Sequence, residues 1–106
     1  MPLVVDLHNG RSEPFWAALK KSGVTGTYLK ATEGATYQDK TSAARAKRAR
    51  AAGLRVGYYH FGRPSGGDAA AEAHNFCQWV KDAGGIQRRD FKPALTSKLR
   101  TSRTPG

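Results

Sequence analysis

This 106-residue sequence predicts an α/β fold built on a parallel sheet, and three observations support it. Strand-like apolar runs alternate with helix-like ones. The alternation recurs about every 30 residues, close to the βα repeat of barrels. Each helical run closes at glycine: Gly23, Gly53, then Gly84 and Gly85. Such β-α-β-α-β-α-β order implies parallel strands joined by right-handed crossovers. An open doubly wound sheet and a (β/α)-barrel both satisfy it. The repeat matches a barrel, where about 250 residues make eight units, so the chain holds about three and a half βα units of an incomplete one.

"PLVVDL" reads as a short buried strand and "HNGR" as a turn. Ser12 is placed to N-cap a helix with Pro14 in its first turn. Phe15, Trp16 and Leu19 would share one face, and Gly23 stops it. "VTGTYLKA" is the second strand, weakened by its glycine. Thr41 or Asp39 can cap "SAARAKRARAA", whose alanines favour helix up to Gly53. "LRVGYYHF" is the third strand, rich in aromatic and branched residues, and "GRPSGG" breaks it. Asp68 opens a third helix whose apolar stripe would be Ala70, Ala73, Phe76, Cys77 and Val80. "FKPAL" begins a fourth strand.

Composition narrows the function classes. The length fits one small domain. No apolar run reaches the eighteen residues a membrane span needs, and the N-terminus lacks the basic-then-apolar pattern of a signal peptide. The expectation is synthesis in the cytoplasm, no membrane partner, and release or export by an unidentified route. Cys77 stands alone, which excludes an intramolecular disulfide and a cysteine metal cage, and its apolar setting predicts burial. His8, His60 and His74 lack metal-ligand spacing, so neither metal nor cofactor is expected. No phosphate-binding glycine fingerprint occurs.

The formal net charge is +10. Residues 1–86 carry twelve Lys/Arg against seven Asp/Glu, and residues 87–106 carry six against one. A basic tail and "RAKRAR" at 45–50 would suit nucleic acid. The run, however, lies on a helix where charges usually form a solvated face, and no nucleic-acid motif is present, so nucleic acid is not the expected partner.

All strand-to-helix loops of a parallel sheet gather at one end, where sites are built. The strand exits carry Asp6 with His8 and Asn9, then Lys30 with Glu33, then Tyr59, His60 and Phe61. Carboxylates beside aromatics suit a sugar cleft, because carboxylates serve an oxocarbenium-like transition state and aromatic faces stack on sugar rings. Each residue also has a plainer reading: Asp6 capping a turn, Glu33 pairing with Lys30, His60 satisfied at a strand end.

In combination, "VVDLHNG", "YLKATEGATYQD", "AAGLRVGYYHF" and "DAAAEAHNF" resemble the N-terminal part of the glycoside hydrolase family 25 lysozymes, muramidases of bacteria and their phages. The resemblance spans roughly residues 2–95. It implies a (β/α)-barrel enzyme cutting the β-1,4 bond between N-acetylmuramic acid and N-acetylglucosamine in peptidoglycan. On that resemblance Asp6 and Glu33 take the catalytic positions. His8, Asn9, Lys30, Tyr59, His60 and Phe61 bind substrate. The partners are peptidoglycan glycan strands, the chain is a monomer, and it acts on the cell wall.

The family also places an Asp-x-Glu pair at the end of its fourth strand, the glutamate being the proton donor. Here the chain reads "KPALTSKLRTSRTPG", with no carboxylate after Asp90. A one-nucleotide slip would explain it: codons CTG ACT TCG AAG for Leu-Thr-Ser-Lys spell Asp-Phe-Glu one base earlier. The expected organisation is a partial barrel domain over 1–95 and a disordered, out-of-frame basic tail over 96–106. The expected function is a muramidase in truncated, inactive form. The alternatives are a non-catalytic wall-glycan binding module and, more remotely, a basic nucleic-acid binder.

Overall fold

The computed structural model describes residues 3–8, 12–63 and 68–97. Along the chain run β1 (Val4–Leu7), α1 (Trp16–Lys21), β2 (Gly26–Glu33), β3 (Tyr37–Gln38), α2 (Ser42–Ala51), β4 (Arg55–Gly62), α3 (Ala69–Asp82) and β5 (Ala94–Ser97). The sheet order is β1-β2-β4-β5, every pair parallel, with β3 antiparallel to β2. The alternation read from the sequence is therefore an α/β fold with a mostly parallel sheet. β3 was not expected. Gly34, at φ +60°, turns the chain so that Tyr37 and Gln38 pair back onto Glu33 and Thr32.

One sheet face carries the core. Leu7, Leu29, Ala31, Val56 and Tyr58 bury against Trp16, Ala46, Ala49 and Trp79 of the helices. Tyr58 and Trp79 meet edge to face at 4.8 Å, and the Trp79 indole N–H donates to the Asp39 carbonyl at 2.8 Å. The other face holds Asp6, Tyr28, Tyr59, Phe61, Ala94 and Thr96. Strand alternation sets this division, with one break. Lys30 pairs with Tyr59 and Thr32 with His60, leaving Ala31 as an extra residue. That bulge reverses the parity of β2, so Thr32 turns toward the helices and bonds His60.

The glycines inside the strands make room for rings. A Cβ on Gly26 would come within 2.5 Å of the Phe91 ring, and one on Gly57 within 2.4 Å of Tyr28. Phe91 and Tyr28 stack at 5.2 Å, and the Tyr28 hydroxyl donates to the Lys92 carbonyl at 2.9 Å. A glycine that lowers strand propensity is thus offset by an aromatic plug at the sheet's N-terminal end.

Several local expectations need correction. α1 begins at Trp16 with Phe15 as its N-cap residue, without a side-chain cap, so Ser12 does not cap it. The later start turns Phe15 outward to 77% exposure, off the face of Trp16. Asp39, not Thr41, supplies the cap acceptor of α2, its Oδ1 taking the Thr41 and Ser42 backbone N–H groups. Asp68 caps α3 as expected, accepting from Ala70 and Ala71. The buried face of α3 only partly follows the expected stripe: Phe76 and Val80 pack against the core, but Glu72, Asn75 and Trp79 are the residues most deeply buried, and Ala70 and Ala73 are exposed. Cys77 is exposed too, against its expected burial. Asn75 explains the rotation, since its amide donates to the Gly34 and Tyr37 carbonyls and staples the β2–β3 turn.

β5 runs through Thr96 and Ser97, two residues past the expected domain boundary. The rest of the expected tail, 98–106, lies outside the described residues. Within "RAKRAR", Arg48 pairs with Glu13, Arg50 with Asp90, and buried Arg45 donates to the His8 carbonyl, so three of its cations are engaged in the fold.

Candidate functional site

The strands deliver their side chains to the uncovered face in register. Asp6 on β1 stands opposite Tyr28 on β2, Tyr59 on β4 opposite Ala94 on β5, and Phe61 opposite Thr96. Together these six line a cleft of about 230 Å³. Its walls are mostly apolar and aromatic, with a carboxylate and hydroxyls at fixed points, the usual make-up of a small-molecule or sugar site.

Electrostatics divides the carboxylates. Asp6 is an exposed residue, yet partial burial withdraws enough water from its carboxyl to push it above the ordinary value. Tyr59 is pushed up to about 12, by burial first and then by the negative charges of Asp6, Asp39 and Glu33. It stays a neutral phenol that can donate a hydrogen bond.

Glu33 is different. Lys30 Nζ bonds its Oε1 and Arg63 Nη2 its Oε2. Burial pushes Glu33 up, but these hydrogen bonds and the two positive charges outweigh it and hold the carboxyl below its ordinary value. Lys30 also lies 5.1 Å from the Phe61 ring centroid and 5.3 Å from that of Tyr37. The plainer reading, Glu33 paired with Lys30, is what the side chains do.

Asp6 and Glu33 share the uncovered face but not one level of it. Tyr28, opposite Asp6, pairs with Gly57, whereas Glu33 pairs with Phe61, four residues further along β4. At about 3.3 Å per residue the two levels are roughly 13 Å apart. Carboxyl pairs that act on one glycosidic bond stand roughly 5–9.5 Å apart. Thr96 lines the cleft with Asp6 at the position where the resemblance places the first acid of Asp-x-Glu.

The remaining expected residues scatter. Tyr59 and Phe61 line the cleft, and Lys30 sits at its lip. His8 is exposed just past β1, and Asn9 lies outside the described residues. His60 is not brought to the cleft. It is 6% exposed on the helix side, its Nδ1 2.7 Å from Thr32 Oγ1 and its Nε2 2.7 Å from Glu72 Oε1. It alternates with Tyr59 and Phe61, so it must face the other way.

Sequence reasoning missed Tyr28, Ala94, Thr96 and Arg63. Parity was the available signal: counting back by two from Lys30 reaches Tyr28, and forward by two from Phe61 reaches Arg63. Among the described residues no group of three His, Cys, Asp or Glu side chains is arranged to hold a metal ion, and no helix is long and apolar enough to cross a membrane.

Comparisons with known proteins bear on the family and the fold. The sequence pattern of the glycosyl hydrolases family 25 matches residues 5–98. The autolytic lysozyme of Clostridium acetobutylicum is 40% identical over 72 residues, 68% of this chain and 22% of that protein. Lysozyme M1 of Streptomyces globisporus is 33% identical over 84 residues, 79% of this chain and 28% of that protein. The crystal structure of the bacterial lysozyme from Streptomyces coelicolor superposes with a TM-score of 0.73 at 29% identity, covering 90% of this chain and 44% of that one. The chain thus spans about a quarter of the curated relatives' length. Its sequence pattern, matched over most of its length, and its parallel sheet lead to one conclusion: the chain belongs to family 25 of the glycosyl hydrolases.

Proposed function

We propose that the cleft is a muramidase-type glycan site, built to bind peptidoglycan strands at the β-1,4 bond between N-acetylmuramic acid and N-acetylglucosamine. We further propose that this chain binds peptidoglycan far better than it cuts it. The observation that carries the reading is the in-register wall of Asp6, Tyr28, Tyr59 and Phe61 along the uncovered face. Tyr28, Tyr59 and Phe61 offer surfaces on which sugar rings stack. Asp6, raised by desolvation, is placed to stabilise positive charge developing on a sugar ring. No second carboxylate stands near it among the described residues that line the cleft. Glu33 is too far along the sheet and is already held by two cations. Proton donation to a leaving group, typically worth 10²–10⁴-fold, therefore has no evident source in the cleft.

Co-sedimentation with insoluble peptidoglycan tests the binding, and a cell-wall turbidity assay tests the cutting. Wild type should sediment with the wall at about 0.5 M NaCl, where exposed charge contacts are screened, and Asp6→Ala and Phe61→Ala should sediment less. Adhesion that both variants retain and that salt abolishes would replace the cleft with simple charge attraction. Clear lysis by the purified chain would overturn the second half of the proposal.

A further inference from the structure

We propose that the lip made by Lys30, Arg63 and Glu33 is a subsite for an anionic substituent of the glycan: a carboxylate on the muramyl residue or its stem peptide. This deepens the glycan reading of the cleft and rests on it. Two cations meet one anion at the lip, so the cluster carries a surplus positive charge. Both Glu33 oxygens are in use, one by Lys30 and one by Arg63, which neutralises the only acid of the cluster. Arg63 spends Nη2 on that contact, and its side chain is still 62% exposed. A guanidinium presents five N–H donors in a rigid fork, so a second edge is available to grip another carboxylate in bidentate fashion.

The position of Arg63 is set by the fold. Its backbone N–H donates to Glu72 Oε1 at 3.3 Å. Its side chain crosses the β2–β3 turn where Gly34, at φ +60°, has no Cβ; one built there would lie 3.1 Å from Arg63 Cδ. Phe61 joins the lip to the cleft, lining the cleft and lying 5.1 Å from Lys30 Nζ. A sugar stacked on Phe61 would have its substituent within reach of Arg63. Asp6, at the β1 end of the cleft, is negative. The gradient from Asp6 to Arg63 would orient a polymer bearing acidic groups, with those groups toward Arg63.

The test is titration of the full chain, by calorimetry, with three probes. These are neutral N,N′-diacetylchitobiose, the N-acetylglucosamine–N-acetylmuramic acid disaccharide with a free lactyl carboxylate, and the same disaccharide bearing a dipeptide with a terminal carboxylate. At least one acidic probe should bind about fivefold tighter than the neutral one, the scale of a partly exposed charge pair. That ratio should fall to about one in Arg63→Gln and at high salt, and to an intermediate value in Arg63→Lys. The acidic probe that shows the preference identifies which carboxylate is gripped. Equal affinity for all three probes, or a preference unchanged in Arg63→Gln, overturns the subsite and leaves the cleft standing. A folded chain that binds none of the three overturns both.

Discussion

Tyr28 lies flat across the backbone of Gly57, so close that a Cβ there would meet Tyr28 Cε1 at 2.4 Å. The floor of the cleft is therefore set by a missing methyl group on the neighbouring strand. Gly57→Ala should push the ring out of place and cost about 1–3 kcal/mol, as overpacking does. In a chain of this size each kcal/mol lowers Tm by roughly 4–8 °C. The penalty should vanish in a Tyr28→Ala background, measured by thermal unfolding of all four members of the cycle. Equal losses in both backgrounds would mean the ring is not the cause.

His60 holds two buried partners on the helix side, Thr32 and Glu72. Thr32→Val keeps the shape of the side chain but leaves a ring nitrogen unsatisfied. We expect a loss of about 1–3 kcal/mol in urea unfolding with an unchanged slope. A loss under about 0.5 kcal/mol would show that the imidazole finds another partner.

Glu33 predicts an acid limb. Its carboxyl is held below the ordinary 4.5, so its pairing stabilises the fold above that value and is lost as pH falls through the lower folded value. Asp6 has the opposite sign, because its raised carboxyl favours the protonated fold. Stability measured from about pH 6 downward should decline less steeply in Glu33→Gln than in wild type and more steeply in Asp6→Asn. Identical slopes in Glu33→Gln and wild type would refute the pairing.

Tyr59 predicts an alkaline limb. With its phenol pushed up to about 12, the unfolded chain ionises before the folded one. Stability should therefore fall between about pH 10 and 12, and Tyr59→Phe should flatten that decline. Ultraviolet titration should show one tyrosine ionising late, and earlier again in Asp6→Asn, which removes one of the nearby negative charges.

Thr96 lines the cleft where the family resemblance expects an acid. Thr96→Asp combined with Lys98→Glu should raise cell-wall lysis by about 10²-fold or more over wild type. No gain from the pair, in a chain whose circular dichroism is unchanged, would place the missing chemistry elsewhere.

Much of this was legible before any coordinates. The strand and helix alternation, the stops at Gly23 and Gly53 and the Asp68 cap follow from short-range rules, because they depend on a few adjacent residues. The cleft residues Asp6, Tyr59 and Phe61 were legible from the strand exits. What failed turned on strand alternation or on a partner across space. The inward turn of α3 depends on loop carbonyls that Asn75 must satisfy, which periodicity of apolar residues does not register. His60 was placed at the right strand end on the wrong side, because proximity in sequence to Tyr59 hides the alternation. Tyr28 shares the parity of Lys30 and was legible by that count, but the room for its ring is made across the sheet at Gly57.

The extra residue at Ala31 works as a phase key for β2. Were Ala31 instead to pair with His60 in unbroken register, Thr32 would face the groove and Glu33 would turn behind the sheet, with no side chain altered. The chemical character of such a rim therefore hangs on whether one small residue is looped out of the ladder or paired into it.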